Sequence, residues 1–342
     1  MSAGIKPLYQ PAPDQPSFLQ DIQDLFAMRR FAHVANWRFS EPLAANDPVR
    51  GNQLWDEMEN RAEKTGIYYA YSDEVELIEH CFAQMGPELP DDITLIDFGP
   101  GPEKSIRGKI GPIIKSLEPK VKRYVGIDRV RDLLDKARKF FSAEHPQIEF
   151  LGLNQDFYEH ALPLPRAGKR LSVIFGLTMF NIATDPRIKN LPEEILVDML
   201  RRLAGHLRKG EFLAVSQDLN RDQNLMTKLY SEQKDLWMNL LLRVRRDLKP
   251  KGNFNPAGFE YAIDWLPETN ASVRCFVVNK DMDFILGEES FTLKQGQKFF
   301  IHNAFKYLES DFVAMAQQAG LSPFHTSRHA SGRTAMHVFE KD

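Results

Sequence analysis

The chain has 342 residues, 43% hydrophobic and 27% charged, enough for one large core or two domains. Its 44 basic and 47 acidic side chains nearly cancel to a net charge of −3, which gives no electrostatic reason to expect nucleic acid or a membrane surface as partner. No apolar run reaches a membrane span, the N-terminus lacks the apolar core of a signal peptide, and Cys81 and Cys275 lack metal-ligand spacing; the expectation is a cytoplasmic protein with reduced thiols and no metal.

Residues 1–16 carry Pro7, Pro11, Pro13 and Pro16 and read as an extended arm. The spacing of Phe18, Ile22, Leu25, Phe26 and Met28 predicts a helix from Phe18 to Phe31. A loop follows from Phe39 to Pro48, then a second helix from Gly51 to Thr65 with Leu54, Trp55 and Met58 on one side. Tyr68, Tyr69 and Tyr71 come just before a helix expected to start near Asp73. They are either aromatic packing or a lid that offers hydroxyls and π faces to a cation. A helix over 74–86 leads into the first strand.

That strand, Ile93 to Ile96, ends in Asp97 and is followed by Gly99 and Gly101, then by a helical pattern at Ile106, Ile110, Ile113, Ile114 and Leu117. Strand, glycine turn and helix open a doubly wound nucleotide-binding fold. A second strand, Lys122 to Asp128, ends in an acid placed to accept hydrogen bonds from a ribose diol. The glycine turn lacks the third glycine of the dinucleotide fingerprint and the Gly-Lys-Ser/Thr ending of a phosphate loop. With Asp97 and Glu103 beside it, it is a poor pyrophosphate site and suits S-adenosylmethionine (SAM) better than NAD. Val130 to Phe141 is an amphipathic helix and Ile148 to Leu151 a third strand. Asp156 and Phe157 follow, either as a turn or as an adenine bracket in which the acid takes the exocyclic amine and the ring stacks.

The fourth strand, from Arg170, breaks at Gly176 and runs on into Thr178 to Ile182, which brings Asn181 near the carboxyl ends of the strands, where such sheets bind ligands. A helix from Pro192 to Leu207 and a fifth strand from Lys209 to Ser216, ending at Gln217-Asp218, complete the alternation. This predicts an α/β fold with a parallel sheet covered on both faces. Then the pattern changes. Asn224 to Asp247 is helical; Val273 to Val278, Phe284 to Leu286 and Ser290 to Leu293 read as antiparallel strands, with a turn near Gly287. A helix from Phe312 to Ala319 and a last strand from Thr334 to Phe339 end the chain.

From about Gly51 onward the chain resembles the histidine Nα-methyltransferase family of ergothioneine biosynthesis, a group that also includes fungal methyltransferases acting on prenylated tryptophan. The family's Gly-Ser-x-Leu-Phe-Asp looks like Gly51-Asn-Gln-Leu-Trp-Asp56, and its Glu-Tyr-Tyr-Pro-Thr-Arg-x-Glu like Ile67-Tyr-Tyr-Ala-Tyr-Ser-Asp-Glu74. Its Gly-x-Gly-x-x-x-Lys is similar to Gly99-Pro-Gly-Pro-Glu-Lys104 with one residue fewer, and its Gly-x-x-x-Gly-Asn to Gly176-Leu-Thr-Met-Phe-Asn181. Asp128 and Asp156-Phe157 match cofactor positions, Leu229-Tyr-Ser231 an Ala-Tyr-Asp motif, and His302-Asn-Ala-Phe-Lys-Tyr307 the closing Glu-x-Ser-x-Lys-Tyr. The resemblance implies a class I, Rossmann-like SAM methyltransferase with an inserted α+β acceptor subdomain. Residues 1–74 would be the N-terminal helical part of the acceptor domain, 75–218 the SAM-binding domain, 219–305 the inserted acceptor subdomain and 306–342 a return to the SAM-binding domain. It implies SAM held by Asp97, Gly99, Gly101, Lys104, Asp128, Asp156, Phe157 and Gly176. Tyr68 would lie beside the acceptor amine, and Asn181 and Tyr230 at the acceptor carboxylate. The remaining acceptor-binding residues would be Tyr69, Tyr71, Arg274, Cys275, His302 and Ala304.

The departures concern the acceptor. Where the family grips the histidine ring with a glutamate and a serine, this chain has His302 and Ala304, and a neighbouring Glu-Met reads Arg274-Cys275. Unpaired buried donors cost about 1–3 kcal/mol each, so two lost partners would weaken histidine on the order of 10²-fold. The expected activity is SAM-dependent N-methylation of the amine of an amino acid or an amino-acid-derived small molecule other than histidine. Two alternatives stay open: cyclisation of the cofactor's own aminobutyrate chain with release of methylthioadenosine, and non-catalytic SAM binding.

Overall fold

The computed structural model describes residues 18–29, 53–155, 157, 162–176, 178–182, 185 and 187–342. The expected arm at 1–16, the loop at 39–48, residues 30–31 and 51–52 of the expected helices, and Asp156 lie outside the described residues. Three helices come first: α1 (Phe18–Phe26), α2 (Gln53–Lys64) and α3 (Tyr69–Met85). Helix α3 starts four residues before the expected Asp73, so Tyr69 and Tyr71 occupy its first turn and not a loop ahead of it. Burial decides this: Tyr69 is 1% exposed, and packing outweighs the weak helix preference of an aromatic residue.

After α3 the chain alternates. Strands β1 (Ile93–Phe98), β2 (Val121–Ile127), β3 (Glu149–Leu153), β4 (Lys169–Ile174) and β5 (Phe212–Asp218) are mutually parallel. Between them run α4 (Glu103–Ser105), a π-helical turn (Ile106–Ile110), α5 (Gly111–Leu117), α6 (Arg131–Glu144) and α7 (Leu191–Gly205). The insertion follows as α8 (Gln223–Ser231), α9 (Lys234–Arg243) with a second π-helical turn (Val244–Leu248), and six strands. These are β6 (Lys251–Gly252), β7 (Phe259–Leu266), β8 (Ala271–Val278), β9 (Met282–Leu286), β10 (Glu289–Leu293) and β11 (Lys298–Phe305). Helix α10 (Glu309–Gln318) and strands β12 (Leu321–Arg328) and β13 (Thr334–Lys341) return to the first sheet.

The seven-stranded sheet has the order β12-β13-β5-β4-β1-β2-β3, with β13 antiparallel to β5 and β12 antiparallel to β13. Every residue of β1 and β5 is buried, as expected for central strands covered on both faces. One face packs Ile96, Phe98 and Val215 against Leu196, Leu200 and Leu203 of α7 and Phe312 of α10. The other packs Leu95, Val173 and Ala214 against Leu77 and Ile78 of α3, Ile113 of α5 and Phe140 of α6. The strand order reverses between β1 and β4, and the carboxyl ends at such a reversal are where open α/β sheets bind ligands.

In the insertion, β11-β8-β7 and β10-β9-β6 form two antiparallel three-stranded sheets. Their shared core is aromatic: the ring of Phe26 on α1 lies 5.4 Å from Phe299 and 5.5 Å from Phe284. The expected single helix over 224–247 is broken at Glu232-Gln233. No described helix is long and apolar enough to cross a membrane.

Candidate functional site

The turn after β1 is built on two left-handed glycines, Gly99 at φ +91° and Gly101 at φ +70°. A Cβ on Gly99 would meet no atom within 4 Å, so backbone conformation demands glycine there and the space beside the turn is open. Asp97, buried at the end of β1, accepts from the Tyr124 hydroxyl at 2.8 Å. Burial pushes its pKa up to about 7, against the lowering effects of Tyr124 and Lys109. Asp128, partly buried at the tip of β2, accepts from the Val130 amide at 2.7 Å, and burial outweighs that bond and the Arg129 charge to push its pKa up to about 7 as well. The ring of Phe157 lies 5.3 Å from that of Phe98. Asp97, Gly99, Gly101, Asp128 and Phe157 thus gather at one edge of the sheet.

Gly176, at φ +72° just past β4, joins that edge through a residue the sequence reading did not select. Its amide donates to Glu74 Oε1 at 2.6 Å, the Ser216 hydroxyl donates to the same oxygen, and Lys109 Nζ lies 2.5 Å from Oε2. Glu74 is 1% exposed. One carboxylate therefore ties α3 to the turn after β4, to β5 and to the helix after the glycine turn. The signal for Glu74 in the sequence was its place as the last residue of the Ile67 to Glu74 stretch that resembles a family motif.

Lys104, expected at the cofactor, lies beside Tyr71. Its ammonium pairs with Glu63 and lies 5.0 Å from the centroid of the Tyr71 ring, and its carbonyl accepts from the Tyr71 hydroxyl at 3.1 Å. Lys104 and Tyr71 line a cavity of about 630 Å³ together with Glu59, Asn60, Glu103, Arg107 and Gly108, a set that includes none of the strand-tip residues.

A second group forms where α3 and α8 meet the β7-β8-β11 sheet. Tyr69, Tyr230 and Ala304 share one buried cluster, with Tyr68 packed against it. The Tyr69 hydroxyl donates to Asp218 at 3.0 Å and accepts from Asn220 Nδ2 at 2.9 Å; Asp218 pairs with Lys306. Burial and the Asp218 charge hold the Tyr69 phenol well above its ordinary pKa, and burial with Glu59 and Glu74 does the same for Tyr68. Both remain hydroxyls at neutral pH. The Arg274 guanidinium lies 3.6 Å from the centroid of the Tyr230 ring. Across the β8-β11 pair, His302 sits opposite Arg274 and Ala304 opposite Ser272, so strand alternation puts all four on one face. The His302 ring packs 4.9 Å from that of Trp237. Asn181 follows β4, and its Oδ1 is buried with no hydrogen-bond partner among the described residues.

Cys275 does not join this group. The pleat turns it to the opposite face, where its Sγ lies 3.6 Å from the Ala262 carbonyl and 3.9 Å from Asp264 Oδ2. Burial, then the Asp264 charge, pushes its thiol up to about 12.

A profile of the histidine-specific, SAM-dependent methyltransferase family matches residues 48–341. The histidine N-alpha-methyltransferase of Mycolicibacterium smegmatis is 25% identical over 290 residues, 80% of this chain and 82% of that protein. An uncharacterized protein of Sinorhizobium fredii, y4iF, is 27% identical over 252 residues, 73% of this chain and 81% of that protein. A SAM-dependent methyltransferase of known structure from Clostridium acetobutylicum aligns over 84% of this chain and 98% of its own, with a TM-score of 0.44 and 12% identity.

Proposed function

This chain belongs to the histidine-specific, SAM-dependent methyltransferase family, and from that premise we propose that it methylates the amine of an amino acid or close derivative other than histidine. The observation that carries this reading is the pair His302 and Ala304 on the face of β11 that meets the tyrosine cluster. A carboxylate at the first position would accept from an imidazole N–H. The imidazole present there offers a different chemistry, and Ala304 offers no hydroxyl.

SAM is the cofactor, and the strand-tip residues fit it: an acid at the end of β2, open space beside a glycine turn, and an aromatic ring past β3. When bound, it supplies a methyl group activated on a sulfonium. In this reading Asp128 accepts from the ribose hydroxyls, Gly99 and Gly101 let the backbone come close, and Phe157 with Asp156 brackets the adenine. Gly176, held by the Glu74 carboxylate, completes the wall. We take 75–218 with 306–342 as the cofactor-binding part and 1–74 with 219–305 as the acceptor part.

On the acceptor side the residues act by position. Asn181 through its Nδ2 and Tyr230 through its hydroxyl donate to the acceptor carboxylate, while Tyr68 sits beside the amine as a hydroxyl and not as a base. The amine attacks uncharged, and its proton leaves to water or to His302. Holding the partners at attack distance supplies about 7–11 kcal/mol, and the tyrosine faces steady the positive charge left on nitrogen.

The double variant His302→Glu with Ala304→Ser tests the pocket. Turnover of the native acceptor should fall and histidine binding should rise, unless Arg274 pairs with the new glutamate and blocks the ring. Unchanged kcat/KM for the native acceptor would show that β11 does not face it.

A further inference from the structure

Arg274 is a buried charge without a counter-ion. It lies in the middle of β8, 1% exposed, and no carboxylate pairs with it among the described residues. Its NH1 donates to the Ser272 carbonyl at 3.3 Å, the Tyr261 hydroxyl is close by, and its Nε has no partner among the described residues. The other cation over the Tyr230 ring, Lys306 at 5.7 Å, is already paired with Asp218. Asp264 on neighbouring β7 is turned to the opposite face, where Lys298 reaches it at 2.7 Å. Among the described residues, Arg274 is therefore a positive charge left uncompensated on the face that meets the tyrosine cluster. A structural arginine at this depth normally brings its carboxylate with it, because an unpaired buried charge is costly.

We propose that Arg274 receives a second anionic group of the acceptor, a carboxylate on its side chain, so that the acceptor is an acidic amino acid or a close analogue methylated on its α-amine. The inference rests on the reading of the β8-β11 face as the acceptor pocket. A guanidinium stacked on an aromatic ring keeps its planar fork for bidentate pairing with a carboxylate. His302, directly opposite Arg274, puts an imidazole where a glutamate would repel an anion. Ala304 leaves an apolar wall beside it. Tyr230, whose ring is near both Arg274 and Lys306, links this side-chain site to the place proposed for the α-carboxylate.

The test is calorimetry on the full chain saturated with S-adenosylhomocysteine, using glutamate, aspartate, glutamine, asparagine and the α-amide of glutamate. One of the acids should bind on the order of 30-fold tighter than its side-chain amide, and Arg274→Met should erase that preference. Equal binding of acid and side-chain amide overturns the proposal. So does a preference that depends only on the α-carboxylate, or one that survives in Arg274→Met. If that variant does not fold, the acid-to-amide ratio of the unaltered chain decides alone. Mass spectrometry of the same acceptors with SAM separates the two readings. Selective, Arg274-dependent binding without methylation keeps the anion site and overturns methyl transfer. Methylation of neutral amino acids with no acidic preference does the reverse.

Discussion

Asp128 ends β2 with one oxygen already taken by the Val130 amide, and its pKa stands at about 7. Two charge-assisted bonds to a ribose contribute on the order of 2–4 kcal/mol, so Asp128→Ala should weaken SAM binding by tens-fold or more by calorimetry while the chain stays folded. The proposed ribose contact needs the carboxylate, the form that can accept from both hydroxyls. SAM affinity should therefore fall as pH drops from 8 to 6, and Asp128→Asn should flatten that dependence. The stability of the ligand-free chain runs the other way. Asp97 and Asp128 are raised in the fold above the ordinary carboxylate value near 4, so the native state binds more protons. Their contribution falls as pH rises through about 4 to 7. His337, buried and lowered to about 4, opposes them, since its contribution is lost as pH falls from about 6.5 to 4. Urea unfolding of Asp128→Asn should show less loss of stability toward pH 8 than the unaltered chain, with Asp97 left as the remaining source. An acid at a strand tip after a glycine turn is legible in sequence because the chemistry is local. Glu74 was legible only as the end of a motif; its bond to Gly176 was not, because the amide it holds lies 102 residues away.

Helix α3 is the element that joins the two groups of site residues. Its first turn places Tyr69 against Asp218, and its Glu74 pins Gly176 and Ser216 and pairs with Lys109. Glu74→Ala strands a buried lysine and two donors at once. Breaking a buried pair costs about 3–5 kcal/mol, so this variant should lose that much in urea unfolding, and Glu74→Gln, which keeps an acceptor for Gly176 and Ser216, should lose less. A loss under about 1 kcal/mol in Glu74→Ala would mean that water takes over the carboxylate's role. The strands of the seven-stranded sheet other than β12 follow the sequence pattern within a few residues, most clearly β1, β4 and β5, where buried parallel strands are apolar runs. The insertion was read less well. Strand β11 carries His302 and Asn303 in mid-strand, with a register shift between Phe300 and His302, so its alternation is interrupted. Strand β12 carries Pro323 at a sheet edge, next to another register shift. Strand β7 does carry an alternating stripe, Phe259, Tyr261, Ile263 and Trp265, which the sequence reading passed over.

In the whole molecule the seven-stranded sheet, whose reversal point lies between β1 and β4, shares its core with Val273 and Phe305 of the inserted sheet, while Arg274, His302 and Ala304 lie on that sheet's other face, toward the tyrosine cluster. The first half was legible because alternating strands and helices leave few topologies open. The face proposed for the acceptor was legible only through resemblance, and it took the strand register to separate Arg274 from Cys275 on opposite faces of β8. The most direct measurement incubates the full chain with SAM carrying a trideuterated methyl group and an equimolar pool of amino acids that includes histidine. Mass spectrometry then follows the label and the nucleoside product. The expected result is label on the amine nitrogen of an amino acid other than histidine, matched by adenosylhomocysteine. Label on histidine ahead of every other acceptor, or methylthioadenosine in place of adenosylhomocysteine, would contradict it.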